Sequence, residues 1–281
     1  MTATKAARLD AGRMAAALTP NILKAMKEAA GRALLPRFRN LALQDCEEKN
    51  AGEIVTIADR ECEAILSELL SPLLPGASIV GEEGAHSDPE LLRRLGDELC
   101  WIVDPLDGTS YFAAGQEPFG IMIALASGGV TVGGWVLDPL SGRTCWAAAG
   151  QGAWIDCRRM SVGRLAPGRV TFGLSPLLRR RPERFDTLVR RLNTSFELRD
   201  IPRCAAAHYP AMLSGGPELT LFERTLPWDH APGVLLIEEA GGKVARLDGS
   251  LYRVDEDRVG LLAAMHPALW DKAAALLQDL P

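Results

Sequence analysis

The amino-acid sequence predicts a layered α/β protein. Along most of the 281-residue chain, apolar residues at helical spacing alternate with short apolar runs that are typical of buried strands. Residues 119–156 differ, because Gly-Gly, Asp-Pro and Ser-Gly turns separate short apolar runs there, as in an antiparallel meander. Strands and helices alternate again from Val170 onward, so we expect one half to about residue 160 and a second half after it.

The first half is predicted to begin with two helices. The stretch up to Leu43 is rich in Ala, Leu, Lys and Arg, and Thr19-Pro20 is placed like a helix start. The next predicted elements are an extended piece at residues 54–56, a helix at 58–73 and buried strands at 78–80 and 99–103. The meander is predicted to contain strands at residues 121–126, 130–137, 144–148 and 153–156.

The second half is predicted to alternate between strands and helices. Strands are expected at residues 170–174, 196–201 and 219–222, and helices near 184–192, 205–213, 229–240 and 267–277. Asp229 at the start of one helix and Gly241 after its end are residue types typical of helix caps.

Composition and charge exclude several classes of protein. The net charge of −5 comes without a basic block, which disfavours nucleic acid and anionic membranes as partners. The longest apolar runs, at residues 121–126 and 234–237, are shorter than the roughly 20 residues of a membrane span. Charged residues interrupt the first apolar stretches, so no secretory signal is expected and a cytoplasmic location is predicted.

The cysteines and histidines do not form a recognisable site in the sequence. The six cysteines are scattered singly, and the four histidines are equally dispersed. This arrangement disfavours a zinc site or a Cys/His nucleophilic pair, and we expect reduced thiols.

Acidic residues stand at four junctions between predicted elements. Asp104 and Asp107 follow one apolar strand, Glu82 follows another, and Asp59 and Asp229 each stand at the start of a helix. Taken singly, each has a commoner explanation as a turn residue, a solvated loop acid or a helix cap. Together they occupy the strand ends where α/β sheets gather ligands, and such a cluster requires cations to offset its repulsion. Oxygen ligands without His or Cys favour two or more Mg²⁺ ions over zinc.

Two longer motifs carry a family resemblance. Residues 101–112 read WIVDPLDGTSYF, and residues 228–242 read WDHAPGVLLIEEAGG. From about residue 20, the sequence resembles the inositol monophosphatase family of Mg²⁺-dependent, lithium-sensitive phosphatases. Gly81-Glu82-Glu83 and the segment from Val55 to Asp59 also occur in the order that this family has. The resemblance implies the layered αβαβα sandwich of the sugar phosphatase superfamily, hydrolysis of a small phosphorylated metabolite, and a homodimer.

The resemblance also implies a set of metal ligands. Glu82, Asp104 and the Leu106 carbonyl would hold one Mg²⁺, and Asp104, Asp107 and Asp229 a second, with a weaker third ion near Glu82. On this assignment residues 1–160 carry most of the ligands, and residues 161–281 carry Asp229 and the substrate side.

The remaining catalytic roles follow from the same resemblance. Asp59, Glu82 and Thr109 form the implied catalytic set, in which Thr109 paired with Asp59 orients or deprotonates the attacking water. Backbone N–H groups of Gly108 and Thr109, at the start of a helical turn, would hold the phosphate.

The substrate side departs from the family pattern. Glu223, a candidate acceptor for substrate hydroxyls, stands one residue too close to Trp228, and residues 203–209 bring in His208, for which a local hydrogen bond is an equal explanation. Asp229 is a further candidate for substrate contact. The segment from Lys49 to Gly52 resembles a mobile loop of the family, and an ordinary exposed turn explains it nearly as well.

Inositol 1-phosphate is the default substrate under this resemblance. Histidinol phosphate, fructose 1,6-bisphosphate and adenosine 3',5'-bisphosphate are alternatives, because relatives share the metal motifs and differ around the leaving group. A non-catalytic protein that binds a phosphorylated metabolite is an alternative of a different class.

Overall fold

Two β-sheets and three groups of helices form the layers of this protein. The computed structural model describes residues 2–50, 53–163 and 168–278. The helices are α1 (Thr2–Ala29), α2 (Ile57–Leu70), α3 (Glu82–Ser87), α4 (Thr109–Ala113), α5 (Pro182–Asn193), α6 (Ala205–Leu213), α7 (Pro227–Glu239) and α8 (Pro267–Leu277). Among the described helices, none combines the length and the hydrophobicity that a membrane span requires.

The strands divide into a hairpin, a seven-stranded sheet and a five-stranded sheet. The hairpin pairs β1 (Cys46–Asn50) with β2 (Glu53–Thr56). The first sheet contains, in spatial order, β3 (Ser78–Gly81), β4 (Cys100–Asp107), β5 (Gly120–Ser127), β6 (Val130–Leu137), β7 (Thr144–Ala148), β8 (Gly152–Ile155) and β9 (Arg158–Met160). The second sheet contains β10 (Thr171–Leu174), β11 (Glu197–Asp200), β12 (Leu219–Phe222), β13 (Lys243–Ala245) and β14 (Leu261–Ala264), in the order β11-β10-β12-β14-β13.

Alternating strand residues define five layers. In β4, Trp101 and Val103 pack on the helices α1 and α2, whereas Ile102 faces the middle helices α6 and α7. In β14, Leu261 faces the same middle helices, whereas Leu262 packs on the outer helices α5 and α8. Because strand side chains alternate between faces, each sheet is covered on both sides, and the predicted layered α/β architecture is confirmed. The division of the chain near residue 160 stays a prediction.

The two predicted N-terminal helices are wrong, because α1 runs through Pro20 without a break. The Thr19 hydroxyl donates to the Ala15 carbonyl at 3.2 Å and accepts the Trp135 indole N–H at 3.0 Å, which ties this point of the helix to β6. Ala15 and Ile22, on either side of the proline, are fully buried on the first sheet. This continuous apolar contact outweighs the hydrogen bond that proline removes.

Strand β4 extends further than the sequence indicates. The predicted strand ended at residue 103, but β4 continues to Asp107 with an irregular register opposite β5 between Asp104 and Asp107. Pro105 lies in this irregular stretch, where a missing N–H is tolerated. Both carboxylates therefore belong to the strand itself, which positions them more rigidly than a loop would.

Several elements were not predicted. Strands β1, β9, β13 and β14 were missed, and the acidic segment after β3, interpreted as a loop, begins the short helix α3. Other predicted elements agree with the structure to within a few residues.

Helices α6 and α7 pack closely at Gly233, and a substitution there tests how tightly they pack. A Cβ atom at Gly233 would lie 2.0 Å from the Tyr209 ring, whereas a Cβ at the helical Gly31 would meet nothing within 4 Å. We expect Gly233→Ala to lower the free energy of unfolding by about 1–3 kcal/mol, because the middle layer must shift. Gly31→Ala is the matched control and should be neutral or slightly stabilising. Equal unfolding midpoints in denaturant for the two variants would contradict this account.

Candidate active site

A cleft lies where the carboxyl ends of parallel strands from both sheets come together. Its walls include residues that follow β3, β4, β10, β11 and β12, together with the first turn of α7. Ligand sites of α/β proteins form at this edge, because loops and helix starts gather there. The lining includes these residues singled out from the sequence: Glu82, Asp104, Leu106, Asp107, Gly108, Thr109, His208 and Asp229.

Four carboxylates face one another in this cleft, and we call them the acidic cluster: Glu82, Asp104, Asp107 and Asp229. Oxygens of Asp104, Asp107 and Asp229 all lie within 4.8 Å of one another. Burial and neighbouring carboxylates raise the pKa of Glu82 to about 8 and hold the pKa of Asp104 well above its usual range. Burial, and then the charge of Asp229, raises the pKa of Asp107 to about 7. The cluster is therefore electrostatically costly without cations.

Backbone amides hold two members of the acidic cluster in place. The Leu106 N–H donates to Asp104 Oδ1 at 3.0 Å, and the Ala206 N–H at the start of α6 donates to Asp107 Oδ2 at 2.5 Å. Asp229 does not cap α7 as predicted. It lies in the first turn instead, because Pro227 occupies the helix start, where a fixed φ and a missing N–H are favourable.

Lys49 lies beside the acidic cluster. Its ammonium group is 3.3 Å from Glu82 Oε1 and also contacts Glu83, and only 7% of its side chain is exposed. Of the predicted mobile segment, Ala51 and Gly52 lie outside the described residues, and Lys49 itself is held in ion pairs.

Glu63 accepts hydrogen bonds from the N–H groups of Glu83 and Gly84, each at 2.8 Å, and so fixes the start of α3.

Asp59 performs two tasks with its two carboxylate oxygens. Oδ2 accepts the Thr56 N–H at 2.8 Å and the Thr56 hydroxyl at 2.6 Å, which caps α2. Oδ1 accepts the Thr109 hydroxyl at 3.0 Å, and Leu106 O is a second acceptor for that hydroxyl at 2.8 Å. Burial, partly offset by the Thr56 hydrogen bonds, raises the pKa of Asp59 to about 6. The helix-cap interpretation and the interaction with Thr109 are thus compatible.

Gly108 permits the sharp turn between β4 and α4. Its φ of +87° lies in the left-handed region, and a Cβ atom would lie 2.7 Å from the Pro118 carbonyl oxygen. A larger residue would be strained here on both counts. The turn places Thr109 at the start of α4, next to the acidic cluster.

The donor set fits Mg²⁺. The cluster offers carboxylate oxygens, and the Leu106 carbonyl lines the same cleft. Hard oxygen ligands suit Mg²⁺, and a divalent cation relieves the repulsion that raises the pKa values of these carboxyls.

Of the predicted substrate-side residues, Glu223 lies outside the cleft and His208 lies in its wall. Glu223 does not line the cleft, because it forms ion pairs with Arg184 at 2.7 Å and with Arg181 at 3.3 Å. His208 lines the cleft, accepts or donates a hydrogen bond with the Thr220 hydroxyl at 2.9 Å, and has its pKa lowered by burial to about 4. It is therefore neutral near pH 7.

Sequence reasoning missed part of the cleft wall. Ser175, Arg203 and Arg224 line it in the segments that follow β10, β11 and β12. The signal was available, because the rule that ligands gather at the carboxyl ends of parallel strands applies equally to the second sheet.

Comparisons with known proteins show which family this chain is similar to. The family model described as the inositol monophosphatase family matches residues 17–281. The chain is 32% identical to the inositol-1-monophosphatase of Mesorhizobium japonicum over 250 residues, which cover 88% of this chain and 92% of that protein. It is 27% identical to the fructose-1,6-bisphosphatase/inositol-1-monophosphatase of Aquifex aeolicus, over 81% of this chain and 85% of that protein.

A solved structure shows the same fold. The extragenic suppressor protein SuhB of Bartonella henselae matches with a TM-score of 0.76 and 26% identity, over 94% of this chain and 99% of that chain. The layered sandwich inferred from the resemblance is thereby confirmed.

The raised pKa values predict an unusual dependence of stability on pH. A carboxyl whose folded pKa exceeds its unfolded value of about 4 destabilises the folded state progressively as pH rises through that interval. The Asp104→Asn variant lacks one of these carboxyls and serves as the reference. In EDTA we therefore expect the Tm of the unaltered protein minus the Tm of Asp104→Asn to decrease between pH 5 and pH 8. Saturating MgCl₂ should raise the Tm most at the alkaline end, because the ligands must be deprotonated.

The control for this prediction is NaCl at matched ionic strength. Differential scanning fluorimetry across the pH range makes the measurement. The prediction would be contradicted if, in EDTA, the Tm of the unaltered protein rose relative to the Tm of Asp104→Asn as the pH increased.

Proposed function

The chain belongs to the inositol monophosphatase family, whose members are phosphoric monoester hydrolases, and we propose that it hydrolyses a small phosphomonoester with Mg²⁺, inositol 1-phosphate being the first candidate. One observation carries the proposal. The acidic cluster lines one cleft together with Thr109, whose hydroxyl donates to the buried Asp59 behind the cleft wall.

Two or three metal ions would be held by the chain's oxygen atoms. Glu82, Asp104 and the Leu106 carbonyl are proposed for one ion, Asp104, Asp107 and Asp229 for a second, and the vicinity of Glu82 for a third. The mutual approach of the Asp104, Asp107 and Asp229 oxygens supports the second group. When bound, Mg²⁺ would activate water and neutralise charge that develops on the phosphate.

Thr109 and Asp59 would accept the proton of the attacking water in two transfers. As the water oxygen bonds to phosphorus, the bond from phosphorus to the ester oxygen breaks, and the departing alkoxide would take a proton from a solvent water. The proton of the attacking water would pass to Thr109 Oγ1, whose own proton would pass to Asp59 Oδ1. The 3.0 Å hydrogen bond provides this path, and the Thr56 contacts keep Oδ2 occupied, so Oδ1 is the oxygen that serves Thr109. A pKa raised to about 6 suits a proton acceptor near neutral pH.

The start of α4 would position the phosphate. The first N–H groups of a helix have no acceptor within the helix, and Gly108 and Thr109 occupy this position. The turn can be this tight because Gly108 carries no side chain. Phosphate oxygens held there would lie beside the acidic cluster.

Other phosphomonoesters remain alternative candidate substrates. Histidinol phosphate, fructose 1,6-bisphosphate and adenosine 3',5'-bisphosphate differ from inositol 1-phosphate mainly in the group that leaves, and the Aquifex aeolicus relative is named for two sugar phosphates. A non-catalytic binding role is disfavoured by the complete set of Asp59, Thr109 and the acidic cluster. Lithium sensitivity, a homodimer and a cytoplasmic location remain expectations from the resemblance.

Phosphate release over a panel of phosphomonoesters tests the proposed function. We expect release in MgCl₂ that stops in excess EDTA and returns with added Mg²⁺. Asp104→Asn should lower kcat by at least about 100-fold, because it removes a charge from the centre of the metal site. The matched control is Asp186→Asn, an exposed residue on α5 outside the cleft, which should leave the rate unchanged. Full activity after exhaustive chelation would exclude the proposal.

The role of the Thr109 hydroxyl has a separate test. Thr109→Ala should lower kcat by about 100-fold or more with a small effect on KM, because the proton path to Asp59 is cut. Thr109→Ser keeps the hydroxyl and should retain most of the rate. If the serine variant lost as much activity as the alanine variant, the methyl packing rather than the hydroxyl would be responsible.

A further inference from the structure

Apart from Lys49, which pairs with Glu82 and Glu83, the charged residues of the cleft lie on two sides, one acidic and one basic. All four carboxylates that line it among the described residues belong to the acidic cluster. The opposite side follows the parallel strands of the second sheet, with Ser175 after β10, Arg203 after β11 and Arg224 after β12. Because the carboxyl ends of parallel strands meet at one edge, these three residues border the same space. The phosphate end of a substrate would thus lie at the acidic cluster, and its other end would face this second side.

Arg203 differs from the arginines around it. Arg179 pairs with Asp200, and Arg181 and Arg184 pair with Glu223. Arg203 forms no hydrogen bond or ion pair with any residue that the structure describes, and it is exposed to solvent. Its guanidinium therefore retains all five donors for a ligand in the cleft.

The backbone next to Arg203 is attached to the acidic cluster. The Cys204 thiol contacts the Asp107 carbonyl at 3.8 Å, and the Ala206 N–H donates to Asp107 Oδ2 at 2.5 Å. The segment that carries Arg203 is therefore fixed by contacts to a proposed metal ligand. A long side chain anchored at this point borders the space that the leaving part of a substrate would occupy.

Among the described residues, the second side has no carboxylate that could accept the hydroxyls of a neutral polyol. Glu223, the acidic residue expected to accept substrate hydroxyls, is held outside the cleft by Arg181 and Arg184. His208 is neutral and already bonded to Thr220. An anionic group, by contrast, would meet a guanidinium suited to bidentate contact with a carboxylate or phosphate.

From this geometry we propose that the preferred substrate carries a second anionic group, a carboxylate or a second phosphate, on the part of the molecule that leaves, and that Arg203 determines this preference. The inference rests on the proposed phosphatase function and narrows its substrate class, because inositol 1-phosphate, whose leaving part carries no charge, would then give way to a doubly anionic substrate as the first candidate. It also gives the second sheet a defined role, because the loop after β11 then selects the substrate while β3, β4 and α7 supply the metal site.

Matched pairs of substrates test the preference. Glycerol 3-phosphate and 3-phosphoglycerate share a skeleton and differ by a carboxylate, and fructose 1-phosphate and fructose 1,6-bisphosphate differ by a phosphate. For each pair, the selectivity is the kcat/KM of the doubly anionic member divided by that of the other. We expect a selectivity above about 10 for at least one pair, as for a charge-assisted hydrogen bond, and the pair that shows it identifies the group that is recognised.

Variants of Arg203 assign the preference to this residue. Arg203→Ala should lower the selectivity by about tenfold or more, Arg203→Lys should retain part of it, and Arg203→Glu should bring it below one. Arg190→Ala, an exposed arginine on α5 that does not line the cleft, is the matched control and should leave the selectivity unchanged. Rising NaCl should weaken the selectivity of the unaltered protein, because the contact is partly exposed.

The outcomes separate this inference from the proposed function. Phosphate release from every substrate with no selectivity in either pair, or a selectivity that survives Arg203→Ala, would overturn the inference and leave the phosphatase function intact. No phosphate release from any substrate would overturn both. Selectivity that falls in Arg203→Ala and not in Arg190→Ala supports it.

Discussion

Repulsion among carboxylates that are largely withdrawn from water is the constraint on which the rest of this structure depends. Asp104 is almost completely buried, and the oxygens of Asp104, Asp107 and Asp229 approach within 4.8 Å. Such an arrangement persists only if the surrounding chain prevents the groups from moving apart. Backbone amides of Leu106 and Ala206, the proline-bearing end of β4 and the first turn of α7 provide that restraint. The restraint comes from the first sheet and from the middle helices α6 and α7, so two layers of the fold together maintain the cluster.

The two sheets contribute different chemistry to the same cleft. Strands β3 and β4 end in acidic residues and in the turn at Gly108, which together suit cations and a phosphate group. The parallel strands of the second sheet end in Ser175, Arg203 and Arg224, which suit the remainder of a substrate. On the proposed function, a change in the Ser175, Arg203 or Arg224 side chain would alter specificity and leave the carboxylates of the acidic cluster in place. This separation is consistent with a family in which relatives of similar fold have names that refer to different substrates.

Much of the fold and most of the site could be predicted from residue patterns. Short apolar runs between turn residues and acidic residues at strand ends are local signals, and they located β5 to β7 and every member of the acidic cluster. Non-local interactions account for the errors. Thr19-Pro20 has the local features of a helix start, but Trp135 and the sheet beneath keep α1 continuous. Glu223 is drawn out of the cleft by Arg184, a residue 39 positions away on α5. No periodicity reveals either contact, because both depend on how distant segments pack.

Lys49 gives the cleft a cation that belongs to the chain itself. Its ammonium lies 3.3 Å from Glu82 Oε1, so a metal ion that takes Glu82 as a ligand must contend with a positive charge already in contact with that carboxylate. Lys49 belongs to β1, so this contact joins the β1–β2 hairpin to the cleft. Metal affinity at Glu82 would then include the free energy of breaking the Lys49–Glu82 ion pair, and by thermodynamic reciprocity any contact that stabilises the ion pair would weaken metal binding by the same amount. A metal ion at Glu82 and the ammonium group of Lys49 would thus compete for one carboxylate.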